Sequence, residues 1–474
     1  MLPELSETVG LRSPSASRWK LRVPGGAQLA GDVAWIGSLY AATQVLRLAT
    51  NIILARLLAP ELFATMTLIN TLRMGCELFT DVGVGQGIIS RPDGDDPKYI
   101  STAWTLQTIR GLALFALAWV FASPIANFYN QPQLATLIPV AALIFVSTGV
   151  ASPTRFILQK QLRVRKLTTF DFTWTLITSL ISIALAFVMP GIWALMLGFL
   201  LGSALPAIAS FFLVDYRLHR FNLDREVLRS IMTIGKWMFL SSLIYFMSMN
   251  FDRLYLAKAI PFALLGVYGI ARTYSEAAMM LVHQIGTFII FPKIAAHTER
   301  GEGLRRAIAP IRRHAVAGIA VILGVSIAGA DAVIDLLYDH RYHAAGPILT
   351  ILLVGSWFAV LATFADAIIL GVGAPAGVAL GNGVKLAWTV VALPLALAYA
   401  GLATAIVVLA AGEALRYVAL AYSKRRHGLS FLRQDVTFTA LFVITALVCR
   451  EAASLVGLTG DIGSWITAAR SLNG

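Results

Sequence analysis

Charge is what this chain has least of. Only 13% of its 474 residues are Asp, Glu, Lys or Arg, about half the share of an ordinary soluble domain. That deficit excludes a soluble enzyme. Cysteine is equally scarce: Cys76 and Cys449 both fall in apolar stretches, and they build neither a disulfide framework nor a Cys/His zinc site. They read as buried small hydrophobes. No connection between apolar runs is long enough for an inserted soluble domain on either face. Residues 1–28 hold no apolar core and no small-residue cleavage pattern, so no removed signal peptide is expected.

What is present is hydrophobicity, at 58% of residues and a mean hydropathy of +0.75, which excludes a disordered chain. About thirteen apolar runs recur, each near the roughly 20 residues a helix needs to cross about 30 Å of hydrocarbon. They centre on 30–55, 61–82, 100–124, 134–154, 168–189, 192–214, 231–257, 263–291, 315–338, 346–371, 377–398, 401–421 and 437–457. Only helices or closed barrels satisfy their backbone in lipid, and these runs lack strand alternation. The expected fold class is therefore an all-α polytopic membrane protein with about 12–14 transmembrane helices. Residues 459–474, with Ile462, Trp465 and Ile466, are short for a further span, and whether they form one stays open.

Basic residues occupy alternate connections. Arg12, Arg18, Lys20 and Arg22 precede the first run; Arg155, Lys160, Arg163, Arg165 and Lys166 follow the fourth; Arg217, Arg220, Arg225 and Arg229 follow the sixth. Lys293, Arg300, Arg305, Arg306, Arg312 and Arg313 follow the eighth, and Lys424, Arg425, Arg426 and Arg433 the twelfth. Since Lys and Arg collect in cytoplasmic loops, the N-terminus is expected in the cytoplasm. The net charge of +13 then reflects attraction to anionic inner-leaflet lipid, and no nucleic-acid partner is expected.

The basic connection 215–230 divides the chain. Expected regions are a cytoplasmic segment 1–28, an N-lobe 29–214, a linker 215–230, a C-lobe 231–422 and a C-terminal extension 423–474. Ala55, Arg56 and Ala64 in ARLLAPELFA recur as Ala257, Lys258 and Gly266 in AKAIPFALLG at a constant offset. Repeated halves of this kind are a common build of secondary transporters, with the path at their interface.

The stretches ILARLLAPELFATMTLINT, LFTDVGVGQGII, DDPKYISTAWTLQTIRG and ANFYNQPQL, then NFDRLYLAKAIPFALLGVYGIARTYSE and FIIFPKIA, resemble the polysaccharide-transporter (Wzx-type oligosaccharide flippase) branch of the multidrug/oligosaccharidyl-lipid/polysaccharide exporter superfamily. The resemblance is strong over residues 30–300 and weak beyond. It implies a MATE-like fold of two six-helix lobes around a central cavity. It also implies a bacterial inner-membrane location and transfer of an undecaprenyl-diphosphate-linked oligosaccharide between leaflets, for lipopolysaccharide, capsule or exopolysaccharide synthesis. Implied partners are that lipid-linked oligosaccharide, membrane lipids, and polysaccharide polymerase and chain-length proteins. No cofactor, metal or enzymatic activity is expected. Ala64 stands where the family commonly has Gly, at a position that packs helices.

Ionisable residues within spans cost about 2.5–3.5 kcal/mol each on insertion scales, so each needs a partner, a cavity or a function. Helical spacing places Asn70, Arg73, Glu77 and Asp81 on one face of the second helix, and Gln44, Arg47 and Asn51 on one face of the first. It places Ser241, Tyr245, Ser248 and Asp252 on one face of the seventh, and Arg272, Glu276 and His283 on one face of the eighth. The resemblance implies that these four helices line the cavity. Arg47, Arg73 and Arg272, with Gln44, Asn51 and Asn70, are expected to bind a diphosphate-linked glycan, because a guanidinium keeps its charge and matches phosphate oxygens. Two readings stay open for the carboxylates Glu77, Asp81, Asp252, Glu276 and Asp366: charge partners of the arginines, or groups that couple transport to an ion. Gly83, Gly85 and Gly87 mimic a phosphate loop but follow no strand, and loosening of a helix end explains them better. Asp96 before Pro97 reads as a helix cap, not as part of a metal site with Asp93 and Asp95.

Three functions compete on this sequence. A lipid-linked oligosaccharide flippase fits the arginines. A same-fold exporter of peptidoglycan precursor or of small amphiphiles would keep the architecture, although cationic drugs call for acidic and aromatic groups instead. A membrane glycan polymerase or ligase would need a sizeable external loop, and the connections at 127–133, 189–191 and 398–401 are nearly bare.

Overall fold

The structure is a computed structural model whose described backbone covers residues 26–81, 83–91, 93–161, 163–213, 219–285 and 301–457, with a few positions beyond. The expectations on residues 1–25, Arg217, Lys293, Arg300, the side chains of Ser241 and His283, and most of 459–474 lie outside the described residues. All regular elements among the described residues are helices.

The first half contains α1 (Gly26–Leu57), α2 (Pro60–Phe79), a short α3 (Val84–Ser90), α4 (Pro97–Tyr129), α5 (Leu134–Val150), a short α6 (Thr154–Lys160), α7 (Val164–Val188) and α8 (Ile192–Ser210). The second contains α9 (Arg225–Ala259), α10 (Phe262–Ile285), α11 (Glu302–Ala328), α12 (Ala330–Leu337), α13 (Ala345–Gly371), α14 (Pro375–Arg426) and α15 (Leu432–Leu455). Helix ends follow local chemistry. The Asp96 carboxylate accepts a bond from the Lys98 backbone N–H at 2.7 Å while Pro97 takes the first helical position. Gly401, at φ +80°, breaks α14 into two spans in a conformation that glycine alone adopts without steric cost.

Each expected apolar run falls on a helix or part of one as far as it is described, except 315–338, which takes in the later part of α11 and then α12. Seven described helices are long and apolar enough to cross a membrane, and the pair α5–α6, bent by 50°, adds an eighth. The chain is a multi-pass membrane protein. The helices α1, α2, α9 and α10 are not in that set, because polar residues phased along one face dilute their hydropathy. They are the four expected to line a cavity.

Within the first half α1 packs on α7, α4 on α5, and α8 on α5 and α7; within the second, α13 packs on α10 and α14, α9 on α14, and α11 on α15. The halves meet mainly through α2, which lies against both α9 and α10. The Phe246 ring of α9 covers Gly75 of α2 and meets Phe79 edge-on, with centroids 5.1 Å apart. Among residues of this seam Ala64, Leu68, Leu256, Tyr268 and Ala271 share one buried core with Trp357 and Phe364 of α13.

The extra helix α15 is fixed by buried ions. Arg312, fully buried on α11, pairs with Asp435, whose other oxygen accepts from Tyr417 Oη at 2.5 Å. Arg450 Nη2 lies 2.9 Å from Asp331 and so ties the opposite end of α15 to α12.

The linker is pinned to the first half at the start of α4: Thr102 and Thr105 hydroxyls accept from the Asp224 and Asn222 backbone amides, and Lys98 Nζ sits 2.7 Å from Asp224. The Lys98 hydrogen bond holds the Asp224 carboxyl below the usual carboxylate range. At the opposite end of α4 and α9 the two halves touch directly, through the α1–α2 corner against α12 and the α9–α10 corner against the end of α4.

Candidate functional site

Two charged clusters lie on the helices that form the α2–α9–α10 seam, one on α2 facing α4 and α8 and one between α9, α10 and α14. On α2, one helical turn sets Asn70, Arg73 and Glu77 on a common face. Arg73 Nη1 donates to Glu77 Oε2 at 2.6 Å, while its Nε and Nη2 both donate to Asn70 Oδ1 at 3.1 and 3.0 Å. The guanidinium also lies 5.6 Å from the Phe199 ring centroid. Arg110 of α4 completes this cluster, donating to Thr80 Oγ1 and the Glu77 carbonyl, both at 2.9 Å.

Asp81 departs from the expected helical face. The helix α2 ends at Phe79 with Thr80 as its cap, so Asp81 falls in the following turn. There its carboxylate accepts from the Gly83 amide at 2.9 Å and lies 3.9 Å from Arg110. The left-handed Gly83 that makes this turn is the physical reason, and it supports the helix-end reading of the glycine run.

The second-half cluster is larger and deeper. Arg253 of α9 and Arg272 of α10 both donate to Glu276 Oε1, at 2.7 and 3.0 Å. Arg272 lies 3.8 Å from the buried Asp252, which also accepts from the Tyr268 hydroxyl. Glu276 is the open member: its side chain is 47% exposed, against 15% for each arginine. The Met249 carbonyl accepts from Arg272 at 3.3 Å. Its thioether lies 3.5 Å from Lys385 of α14. Lys385 pairs with Glu413 at 2.5 Å, Arg416 reaches Glu413 at 3.6 Å, and Arg416 pairs with Asp366 of α13 at 2.5 Å.

Every cation of this network has a carboxylate partner, which is how a low-dielectric interior tolerates them. Several atoms still lack a hydrogen bond among the described residues: Arg253 Nε, Asp366 Oδ1, Glu413 Oε2 and Arg416 Nε. Spare capacity of this kind is available to water or to a polar ligand.

Arg73 and Arg272 thus stand on packed helices, α2 and α10, in separate clusters, each beside the i+4 glutamate that the spacing suggested. Arg47 is placed elsewhere. It is exposed on α1, which packs on α7, and its charge acts on Asp171 of α7. Asn51 is half-buried on the same helix, and Gln44 makes a contact of its own. Asp171 lies two turns into α7 and pairs with Arg155 at 3.3 Å. Asp93 pairs with Arg91, Asp95 with Lys160 at 2.8 Å, and Asp96 caps α4. No described group of three His, Cys, Asp or Glu is placed to hold a metal.

Sequence reasoning read Arg253 only as the neighbour of Asp252, gave Lys385 no role beyond its place in a span, and passed over Arg110. Their partners are on other helices, 23 to 33 positions away, so no local spacing marks them. The signal available was their bare presence inside apolar runs.

A family model described as "Polysaccharide biosynthesis protein" matches residues 53–347. The chain is similar to the teichuronic acid biosynthesis protein TuaB of Bacillus subtilis (strain 168), at 24% identity over 281 residues covering 59% of this chain and 58% of that protein. It is similar to the lipopolysaccharide biosynthesis protein WzxC of Escherichia coli (strain K12), at 23% identity over 308 residues covering 64% and 61%. The matched region thus spans about three fifths of these relatives' own length. Among solved structures, the lipid II flippase MurJ in an inward closed conformation superposes with a TM-score of 0.71 at 13% identity, over 92% of this chain and 96% of that one. An inward-facing MATE family multidrug transporter of the MOP superfamily gives 0.63 at 16% identity, over 84% and 95%. The protein has a MATE-like fold, and it belongs to the polysaccharide biosynthesis protein family.

Proposed function

We propose that the protein is a flippase that moves an undecaprenyl-diphosphate-linked oligosaccharide repeat unit across the bacterial inner membrane by alternating access, with its N-terminus in the cytoplasm. One observation carries this reading: carboxylate-paired guanidinium groups stand on α2, α9 and α10, the helices through which the two lobes meet, where a diphosphate could pass while the polyprenyl tail stays in lipid. Arg73, Arg253 and Arg272 receive the diphosphate, Asn70 adds a polar contact, and Arg47, with Gln44 and Asn51, extends the polar track along α1. Glu77 and Glu276 balance the arginines in the empty state. Asp81, Asp252 and Asp366 are the groups through which an ion would be coupled. The names of TuaB and WzxC support a surface-polysaccharide cargo, and a polymerase and chain-length protein are the partners such a cargo implies.

Alternating access needs only the seam to open at one end and then the other. A guanidinium fork offers parallel N–H donors to phosphate oxygens, and each charge-assisted bond contributes roughly 1.5–3 kcal/mol. Sugar hydroxyls are held more loosely, so one framework can pass a long head group.

The test is deletion followed by complementation. Cells lacking the protein should accumulate lipid-linked repeat units that are accessible only from the cytoplasm, and Arg272→Ala and Arg47→Ala at normal expression should fail to restore export. Full export by both variants would remove the anion path. Cysteines near Arg306 should label only from the cytoplasm and ones near Gln131 only from outside; labelling of both from one side would overturn the orientation. The likeness to MurJ favours a second reading, peptidoglycan lipid precursor as cargo. Rescue of lipid II translocation, with surface glycans unaffected by deletion, would select it.

A further inference from the structure

The corner repeat ARLLAPELFA/AKAIPFALLG has no part in the anion path, yet its two cations do equivalent things at the ends of α1 and α9. Arg56 stands in the last turn of α1, and its Nε and Nη2 donate to the carbonyls of Leu337 and Leu336 at 2.8 and 2.9 Å. Those carbonyls are the C-terminus of α12, in the other half. Lys258 stands in the last turn of α9, and its Nζ lies 5.3 Å from the Phe128 ring and 3.1 Å from the Asn130 amide oxygen in the orientation that satisfies that amide. Asn130 is the C-cap of α4, in the first half. Each half therefore ends its first long helix with a cation that seats on a helix C-terminus of the other half. Helix C-termini present unsatisfied carbonyls and the negative end of the macrodipole, so both contacts are favourable in sign.

The two arms are unequal. On the Arg56 side the contact is reciprocal: Arg341, just past α12, donates through Nη2 to the carbonyls of Ala55 and Arg56 at 3.4 and 3.3 Å, capping α1 in return. Asp339 holds that guanidinium by bonds from Arg341 Nε and Nη2, the latter at 2.5 Å. Between the arms, Gly266 of α10 sits so close to Pro60 of α2 that an added Cβ would collide with the Pro60 carbonyl oxygen.

We propose that Arg56 and Lys258 are the two arms of an outer latch, created by the internal repeat, that holds the lobes together at this end and sets how often the seam opens there. Arg341 and Asp339 are its positioning residues and make the Arg56 arm the stronger. This rests on the transporter reading only for its consequence; the latch itself is a conformational equilibrium measurable without cargo.

Spin labels on Glu61→Cys and Pro261→Cys, both exposed positions of the two corners, in the full chain with Cys76 and Cys449 replaced by Ser, report the separation of the corners in lipid nanodiscs. The parent should give one short distance. Arg56→Ala should raise the population of a longer distance about tenfold, as expected for loss of charge-assisted bonds. Lys258→Ala should raise it less, and Arg56→Lys should fall between parent and Arg56→Ala. If Arg56→Ala does not fold, Asp339→Asn, which leaves both arms in place, should show the same shift in smaller degree. An unchanged distance distribution in a folded Arg56→Ala/Lys258→Ala double variant overturns the latch. Disulfide closure of the two label positions should stop glycan export reversibly with reductant. Export that continues while the distance shifts are as described would sink the transporter reading and leave the latch standing.

Discussion

Arg253 and Glu276 meet across the α9–α10 corner, Nη2 to Oε1 at 2.7 Å, on the same carboxylate oxygen that Arg272 reaches at 3.0 Å. The two arginines differ in what else they hold. Arg272 retains the buried Asp252, whereas among the described residues Arg253 has as its further acceptor the neutral Asn250 oxygen, at 3.0 Å. Glu276 is thus the acid that neutralises Arg253, and a bound diphosphate would have to take its place.

Glu276→Gln should therefore tighten binding of farnesyl diphosphate to the purified protein several-fold, because it removes an internal competitor. Arg253→Gln should weaken it about tenfold, the size of one charge-assisted bond. Isothermal titration in detergent measures both. Equal weakening by the two substitutions would make Glu276 a support of the site instead of a competitor for it.

Glu77 carries the opposite expectation. Its carboxylate bonds Arg73 at 2.6 Å and both side chains are about a quarter exposed, so solvent screening discounts the pair. Glu77→Gln should lower folded yield modestly and leave export per folded molecule close to normal. Normal yield with abolished export would instead make Glu77 a coupling carboxylate.

Arg312 and Asp435 are fully buried together, and removing one partner of such a pair costs about 3–5 kcal/mol. Asp435→Leu or Arg312→Met alone should lower the thermal midpoint by many degrees in a detergent melt. The double substitution should recover most of the loss, since two apolar groups leave no unpaired charge. A double variant as unstable as the worse single one would show that Tyr417, Gln434 and Lys424 around the pair also need it.

Asp339 lies in a connection outside the spans, and its hydrogen bond from Arg341 holds its carboxyl below the usual range. A depressed folded pKa means that its contribution is complete above the unfolded value and is lost only as pH falls through the lower folded one. His340 and Arg341 are the charges that act on it. The corner-to-corner distance should therefore stay short from pH 8 to about 5 and lengthen only below the ordinary carboxylate range, near 4. Opening centred near neutrality would assign control to a different group.

Membrane class, helix positions and the pairing of Arg73 with Glu77 and Arg272 with Glu276 were legible because they depend on what is near in sequence. A hydrocarbon layer about 30 Å thick fixes the length of each run. A helix puts i and i+4 side by side whatever surrounds it. Even the break at Gly401 is marked, since glycine between two apolar runs is where a chain can reverse its backbone hand.

Partners on other helices were not legible. Arg253 reads in the sequence as the neighbour of Asp252, yet it points to Glu276 while Asp252 turns to Arg272 and Tyr268. Consecutive residues on a helix face about 100° apart, so only the packing of α9 against α10 and α14 decides which charge each meets. The role of Arg56 and Lys258 is the same lesson at larger range. Their repeat is visible in the chain, but their acceptors lie at Leu336, Leu337, Phe128 and Asn130. Sequence alone determines where the helices are and which groups must be neutralised. Tertiary structure decides which carbonyl or carboxylate does it, because a charge buried in low dielectric takes the nearest opposite pole, and nearness across lobes is set by packing.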